Sequence, residues 1–394
     1  MKLSTLLKRS VAVLGGGCLL LVGWAGLELV RPLPDDHLDP ATYQRTATGT
    51  RAVVVPLTIR VAPVTSLTLV EVTDDPIYEG FEPQVVAGPD GQGHRLLAYR
   101  RDGQVDVYDQ PVLAALAGDD FSVIGGGARD HVQNSDLEAT LERDERGNIH
   151  IVFAVTDTSG RRIEGAFHEN SPLPSLPTQL LAPVGASART PVMFPHFVLH
   201  DFDFVRLGGR MEVTVDGHPL QLGGIPVPLV AQGQPRSFVK FVPETDILEV
   251  FPADVTELRH AMTDADRDTV TEGEVTHLFA GDALERIRVR TTEVVFHPPL
   301  DLRARGEGDW SIRTEGHGGG VQGRYVVSDA DAQARLQLRI TRAVLPHQRD
   351  VLYRLFVNEK SFFGTWPLAY RYDGTFDLDA GTVSARWFND APLG

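Results

Sequence analysis

The stretch that decides the fold, residues 137–168, reads LEATLERDERGNIHIVFAVTDTSGRRIEGAFH. Apolar and polar residues alternate in it with a period of two, most clearly from Ile149 to Val155, so that each of three short segments has one apolar face. The turn sequences RGN and TSG separate these segments. The pattern predicts an antiparallel meander of three strands.

The same alternation, interrupted by turn residues at similar intervals, continues through most of the chain after residue 50. Pro252–Met262 differs, because Val255, Leu258 and Met262 are spaced for one face of a helix and proline stands at the start. The sequence therefore predicts an all-β protein of two antiparallel domains with one short helical insert. The domains are expected to be barrel-like or sandwich-like, and a lipocalin-like fold is one form that they could take.

Length and composition indicate the domain organisation. The chain has 394 residues, of which 42% are hydrophobic and 23% charged, as in globular proteins with room for two β-domains. The proline-rich stretch 171–184 separates a first β-domain (51–183) from a second (184–394). The second domain contains the helical and acidic insert at 252–274, and the Pro, Asp and Thr-rich residues 32–50 are expected to be a tether.

The first 31 residues predict where the protein is located. Lys2, Lys8 and Arg9 precede an apolar run, residues 11–30, that is just long enough to cross a bilayer as a helix. Positive charge stays on the cytoplasmic side, so we expect a single-pass anchor in the cytoplasmic membrane with the C-terminal body outside the cytoplasm. The alternative is a signal peptide cleaved after Ala25, which would give a secreted protein.

Charge and cysteine content exclude some partners and chemistries. The formal net charge is −16, so the body of the protein repels nucleic acid. The single cysteine, Cys18, lies in the apolar run. The exported part therefore has no disulfide, no cysteine-based metal site and no thiol nucleophile.

Alternating carboxylates after the predicted helix are candidate ligands for a cation. Asp264, Asp266 and Asp268 have the spacing of the first half of an EF-hand loop, and Glu274 stands one place before the position of its closing glutamate. A solvated acidic helix end explains the same residues without a metal. The sequence thus predicts no cofactor and leaves Ca²⁺ binding as an alternative.

Histidines beside acidic residues are the candidates for catalysis. His168 and Glu169 end one predicted strand, and His200, Asp201 and Asp203 lie in an aromatic run that is expected to be another strand. An imidazole within hydrogen-bond reach of a carboxylate can act as a general acid or base. The motifs of serine hydrolases, zinc proteases, P-loop proteins and dinucleotide-binding enzymes are absent.

The last third of the chain is rich in aromatic residues. Large rings fill protein cores efficiently, and packing explains most of them. Rings that line a barrel or a cleft form an apolar ligand pocket instead. The candidate ligand-binding residues are Trp310, Tyr325, Trp366, Tyr370 and Tyr372.

Four segments carry a family resemblance: Phe153–Glu164, Gly308–Ile312, Gly323–Tyr325, and the hairpin formed by residues 370–375 and 384–387. Together they resemble the lipocalin-like two-domain β-proteins of the hydroxyneurosporene synthase (carotenoid hydratase) and AttH type. The resemblance implies two curved β-domains side by side and an apolar ligand, isoprenoid or lipid. It assigns no catalytic residue in this sequence.

The sequence therefore leaves three functions open, in this order of preference. The first is a membrane-anchored, extracytoplasmic protein that binds an apolar or lipid-like small molecule. The second is an enzyme on the same scaffold, a hydratase, isomerase or hydrolase, that uses a His–acid pair. The third is a structural envelope module that binds another protein.

Overall fold

The computed structural model describes residues 49–68, 70–88, 91–102, 104–116, 131–134, 136–146, 148–170, 178–182, 193–202, 210–222, 246–264, 267–315, 320–329, 332–344 and 368–390. Their regular elements are 26 strands, numbered β1 to β26 along the chain, and one short 3₁₀-helix, Pro111–Leu116. The prediction of an all-β protein of mainly antiparallel sheets is confirmed. The sheets formed by these residues are open, with no closed barrel among them.

The largest sheet is an antiparallel meander of nine strands in chain order. Its strands are β18 (Thr269–Glu272), β19 (Val275–Ala280), β20 (Ala283–Val289), β21 (Thr292–Leu300), β22 (Gly306–Thr314), β23 (Gly320–Ser328), β24 (Gln333–Val344), β25 (Tyr370–Asp377) and β26 (Thr382–Asn389). Side chains alternate between buried and exposed along β23, as a sheet with one covered face requires. Gly273 and Gly281 supply the φ values of +54° and +65° that the tight turns around β19 need.

The meander predicted at residues 137–168 is present and forms the centre of a five-stranded antiparallel sheet. Phe153 lies opposite Gly165 in this sheet, and its ring covers the space where a side chain at that position would stand. The strands are β9 (Glu138–Arg143), β10 (Ile149–Thr156), β11 (Arg162–His168), β14 (Arg210–Val215) and β15 (His218–Pro219).

A six-stranded sheet packs against this five-stranded sheet. It consists of β3 (Val64–Leu67), β4 (Val70–Glu71), β5 (Tyr78–Gly88), β6 (Gly91–Arg100), β7 (Val105–Asp109) and β8 (His131–Asn134). Apolar residues of both sheets, including Phe81, Tyr108 and Phe153, form one continuous core. All of its pairs are antiparallel except that of β7 with β8.

Two smaller sheets bring distant parts of the chain together. A four-stranded sheet contains β12 (Thr178–Ala182), β13 (Phe194–Phe202), β16 (Asp246–Val250) and β2 (Ile59–Val61), and a two-stranded sheet pairs β1 (Ala52–Val55) with β17 (Arg259–Met262). Apolar residues of β1, β2 and β16 share a core with the nine-stranded sheet. Strands from before and after the predicted boundary at residue 183 therefore lie in the same sheets, since β2 pairs with β16 and β11 pairs with β14.

The helix predicted at residues 252–262 is wrong. The chain there is extended: Arg259–Met262 is strand β17, and Leu258 donates its backbone N–H to the carbonyl oxygen of Gly381. Met262, which the helical face would bury, is 59% exposed. Pairing with β1, more than 200 residues earlier in the sequence, overrides the local helical spacing.

In the described ranges, no helix is long and apolar enough to cross a membrane. The predicted membrane segment and most of the predicted tether lie outside the described residues.

Candidate functional site

A cavity of about 340 Å³ lies at the edge of the larger core. Four parts of the chain line it: the segment between β1 and β2, the segment between β16 and β17, the end of β18, and the last two strands. We call it the Phe251 cavity. It is lined by Val55, Pro56, Leu57, Thr58, Phe251, Pro252, Val255, Glu257, Leu258, Arg259, Glu272, Tyr372 and Val383.

Phe251 fixes the shape of the cavity wall. It has a φ of +52°, a conformation that is unfavourable for a residue with a Cβ and that persists only where the surroundings enforce it. Its ring is stacked on Trp387 and tilted against Trp310, with centroid distances of 6.4 and 6.0 Å. Trp387 also donates its indole N–H to the carbonyl oxygen of Phe251 at 2.9 Å. The backbone turn at Phe251 is thus held by an aromatic cluster.

The charged residues of the cavity lining reach solvent. Arg259 forms an ion pair with Glu272, and the two side chains are 36% and 62% exposed. Glu257 is also exposed, whereas Leu57, Phe251 and Leu258 are buried. The lining thus combines buried apolar residues with charged residues that reach solvent, which suits a molecule with one apolar end and one polar end.

Of the predicted ligand-binding residues that the structure describes, Tyr372 is the one that lines this cavity. Burial raises the pKa of its phenol, so the hydroxyl stays protonated and neutral at physiological pH. Its ring packs edge-on against Trp387, with the centroids 5.3 Å apart. Tyr372 therefore contributes a neutral aromatic side chain to the cavity lining.

The other predicted aromatic residues within the described ranges fill the core. Trp310 lies across from Gly323, and Tyr325 donates its hydroxyl to the carbonyl oxygen of Pro298 at 2.6 Å. Tyr370 packs edge-on against Phe194 at 5.4 Å. Trp366 lies outside the described residues.

Two of the predicted calcium ligands, Asp268 and Glu274, are each paired with an arginine. Asp268 is buried and paired with Arg51 at 2.7 Å, and Glu274 is paired with Arg290 at 2.8 Å. Asp264 is exposed, and Asp266 lies outside the described residues. Within the part of the chain that the structure describes, no three His, Cys, Asp or Glu side chains come together as a metal site.

Of the predicted His–acid residues, Glu169 and His168 have other partners in the structure. Glu169 is buried and accepts a hydrogen bond from the backbone N–H of Ile149 at 3.0 Å. His168 is exposed and lies beside His150 instead, with their Nδ1 atoms 3.1 Å apart. The backbone of His200 and Asp201 lies in β13. Asp203 is outside the described ranges.

Sequence reasoning missed a buried acid on the six-stranded sheet. Glu82 is 4% exposed and accepts hydrogen bonds from Gln84 Nε2 at 2.7 Å and from the Tyr99 hydroxyl at 2.9 Å. Burial raises the pKa of Glu82, and these two hydrogen bonds only partly oppose it. The sequence FEPQVV gives no sign of this, because an alternating Glu and Gln in a strand usually indicate a solvent-facing side.

Comparison of the chain with protein-family models, with characterised proteins and with solved structures finds no match in any of the three. The resemblance to the carotenoid hydratase group therefore stays a prediction from the sequence.

Proposed function

We propose that this protein binds an apolar or lipid-like small molecule with one polar end in the Phe251 cavity. The observation that carries the proposal is the combination, in one cavity lining, of buried apolar residues and solvent-exposed charged residues. Its volume of about 340 Å³ is at the lower end of the range for small-molecule sites. A site of this size accommodates a small amphiphile or the terminal part of a longer acyl or isoprenoid chain.

The proposal includes the location predicted from the sequence. A positively charged N-terminus before the apolar run 11–30 supports a body held outside the cytoplasmic membrane, where lipid-like molecules are abundant. A net charge of −16 supports ligands other than nucleic acid. Binding takes precedence over catalysis here because Glu169 is engaged by a backbone N–H and His168 by a second histidine.

The test uses a substitution that fills the cavity and measures ligand binding. The full chain, purified from its membranes in mild detergent, is titrated with decanoic acid by calorimetry. A substitution that fills the interior, Val255→Phe, is expected to abolish binding, and Val326→Phe, at a position that is 41% exposed on β23, is expected to leave it unchanged. Native mass spectrometry of the purified protein is expected to show a bound apolar molecule that Val255→Phe removes. Equal binding by all three proteins would contradict the proposal.

A further inference from the structure

Two histidines face each other on the exposed surface of the five-stranded sheet. His150 in β10 and His168 in β11 are directly paired in the antiparallel register. Their Nδ1 atoms are 3.1 Å apart and their ring centroids 5.4 Å apart. His168 is exposed and His150 is partly exposed, so that solvent reaches the pair.

This geometry matches the spacing of two ligands on one metal ion. A zinc ion binds histidine nitrogen at about 2.0–2.1 Å, and two such ligands at the tetrahedral angle are roughly 3.3 Å apart. The Nδ1 separation of 3.1 Å is close to this value. The same separation allows one ring N–H to donate to the other ring nitrogen, and a metal ion bound at both Nδ1 atoms would replace this hydrogen bond.

We propose that His150 and His168 form a binding site for a divalent transition-metal ion of the Zn²⁺, Ni²⁺ or Cu²⁺ class, for which imidazole is a preferred ligand. Paired strands of one sheet hold both rings, so little backbone freedom remains to be lost on binding. In the described part of the chain no third His, Cys, Asp or Glu is already assembled with the pair, so water or a side chain that moves toward the ion completes the coordination.

Glu142 provides a carboxylate on the same face of the five-stranded sheet. It lies in β9 directly opposite His150, and its side chain is exposed. Directly paired residues of neighbouring antiparallel strands have Cβ atoms about 4.5–5.5 Å apart. A change of side-chain rotamer is therefore sufficient for Glu142 to approach an ion held by the two imidazoles.

The test is titration of the full chain with ZnCl₂ at pH 7.5, followed by calorimetry and by thermal melting. We expect one ion per chain and a rise in melting temperature, and at least about tenfold weaker affinity in His168→Ala and in His150→Ala. Glu142→Gln is expected to weaken binding less. The matched control is His218→Ala, which removes an exposed histidine on β15 of the same sheet.

Circular dichroism without metal checks that the variants fold, as expected for exposed positions. Substitution of Co²⁺ gives a second readout, because its visible absorption bands report nitrogen ligation and are expected to disappear in His168→Ala. Unchanged zinc affinity in both alanine variants, or an equal loss in His218→Ala, would overturn the proposal. The site is separate from the Phe251 cavity, so neither result bears on ligand binding there.

Discussion

Trp387 donates its indole N–H to the backbone carbonyl oxygen of Phe251 at 2.9 Å, and the two rings are nearly parallel, with an interplanar angle of 8°. Phe251 stands at the turn between β16 and the extended segment that encloses the cavity, with a φ of +52°. One side chain of the last strand thus holds a backbone conformation that phenylalanine rarely adopts. The shape of the cavity depends on this contact between two parts of the chain that are 136 residues apart.

The hydrogen bond can be measured by a matched pair of substitutions. Trp387→Phe removes it and leaves a buried carbonyl without this donor, whereas Trp310→Phe removes an indole N–H that has no partner in the described part of the chain. We expect Trp387→Phe to lower the free energy of unfolding by about 1–3 kcal/mol more than Trp310→Phe. Urea denaturation of both variants measures the difference. A larger loss in Trp310→Phe would contradict the assignment.

Overpacking tests the contact between Trp310 and Gly323. A Cβ at Gly323 would stand 2.3 Å from the indole Nε1 and 2.3 Å from the carbonyl oxygen of Arg339, so Gly323→Ala forces strand β23 to shift. We expect a loss of about 1–3 kcal/mol of unfolding free energy. Gly306→Ala is the control, since a Cβ there meets nothing within 4 Å. Thermal melting compares the two variants. Equal melting temperatures would show that β23 shifts with no loss of stability.

Local pattern predicted the strands but not all of their partners. The meander at 137–168 follows from alternation and from turns that join adjacent segments, which is why its register is legible in the sequence. The pairing of Val55 with Arg259 has no local signature, and here the spacing of Val255, Leu258 and Met262 predicted a helix where the chain is extended. Non-local pairing of this kind depends on the whole core and is not encoded in any short window.

Only part of the candidate site is predictable from the sequence. Aromatic density indicated the core that contains the cavity, and Tyr372 lines it. The remaining walls come from proline and aliphatic residues around Pro56 and Pro252, which carry no chemical signature in a sequence. The buried Glu82 was missed because its burial depends on what covers the sheet and not on its own strand.

Stability is expected to depend on pH through His277. This histidine is 0% exposed, and its Nε2 lies 3.1 Å from the carbonyl oxygen of Leu57 in the cavity wall. Burial lowers its pKa from 6.5 to about 4, so between these values the unfolded chain binds a proton that the folded protein does not. Unfolding free energy therefore falls as pH decreases from 6.5 to 4, by about 3 kcal/mol in total.

Urea denaturation at pH 7, 5.5 and 4.5 measures this dependence. We expect His277→Gln to flatten it, and His260→Gln, at an exposed position in β17, to retain it. An unchanged slope in His277→Gln would mean that other groups control acid stability.

Glu82 gives a pH dependence of the opposite sign. Burial raises its pKa above the ordinary value of 4.5, so the folded protein keeps a proton that the unfolded chain releases. This contribution to unfolding free energy is complete below pH 4.5 and is lost as pH rises through the folded pKa. Glu82→Gln keeps the shape of the side chain without the ionisation, so we expect it to raise stability at pH 8 relative to pH 4.5.

The comparison is made by urea denaturation of Glu82→Gln and Glu79→Gln, which changes an exposed glutamate on the same strand. Glu79→Gln removes a similar charge but no buried group, so its effect on unfolding is expected to be small and nearly the same at both pH values. Tyr99→Phe removes the hydroxyl that donates to Glu82 at 2.9 Å, which stabilises the ionised form. It is therefore expected to steepen the loss of stability with rising pH. A shallower loss in Tyr99→Phe would mean that this hydroxyl favours the protonated acid instead.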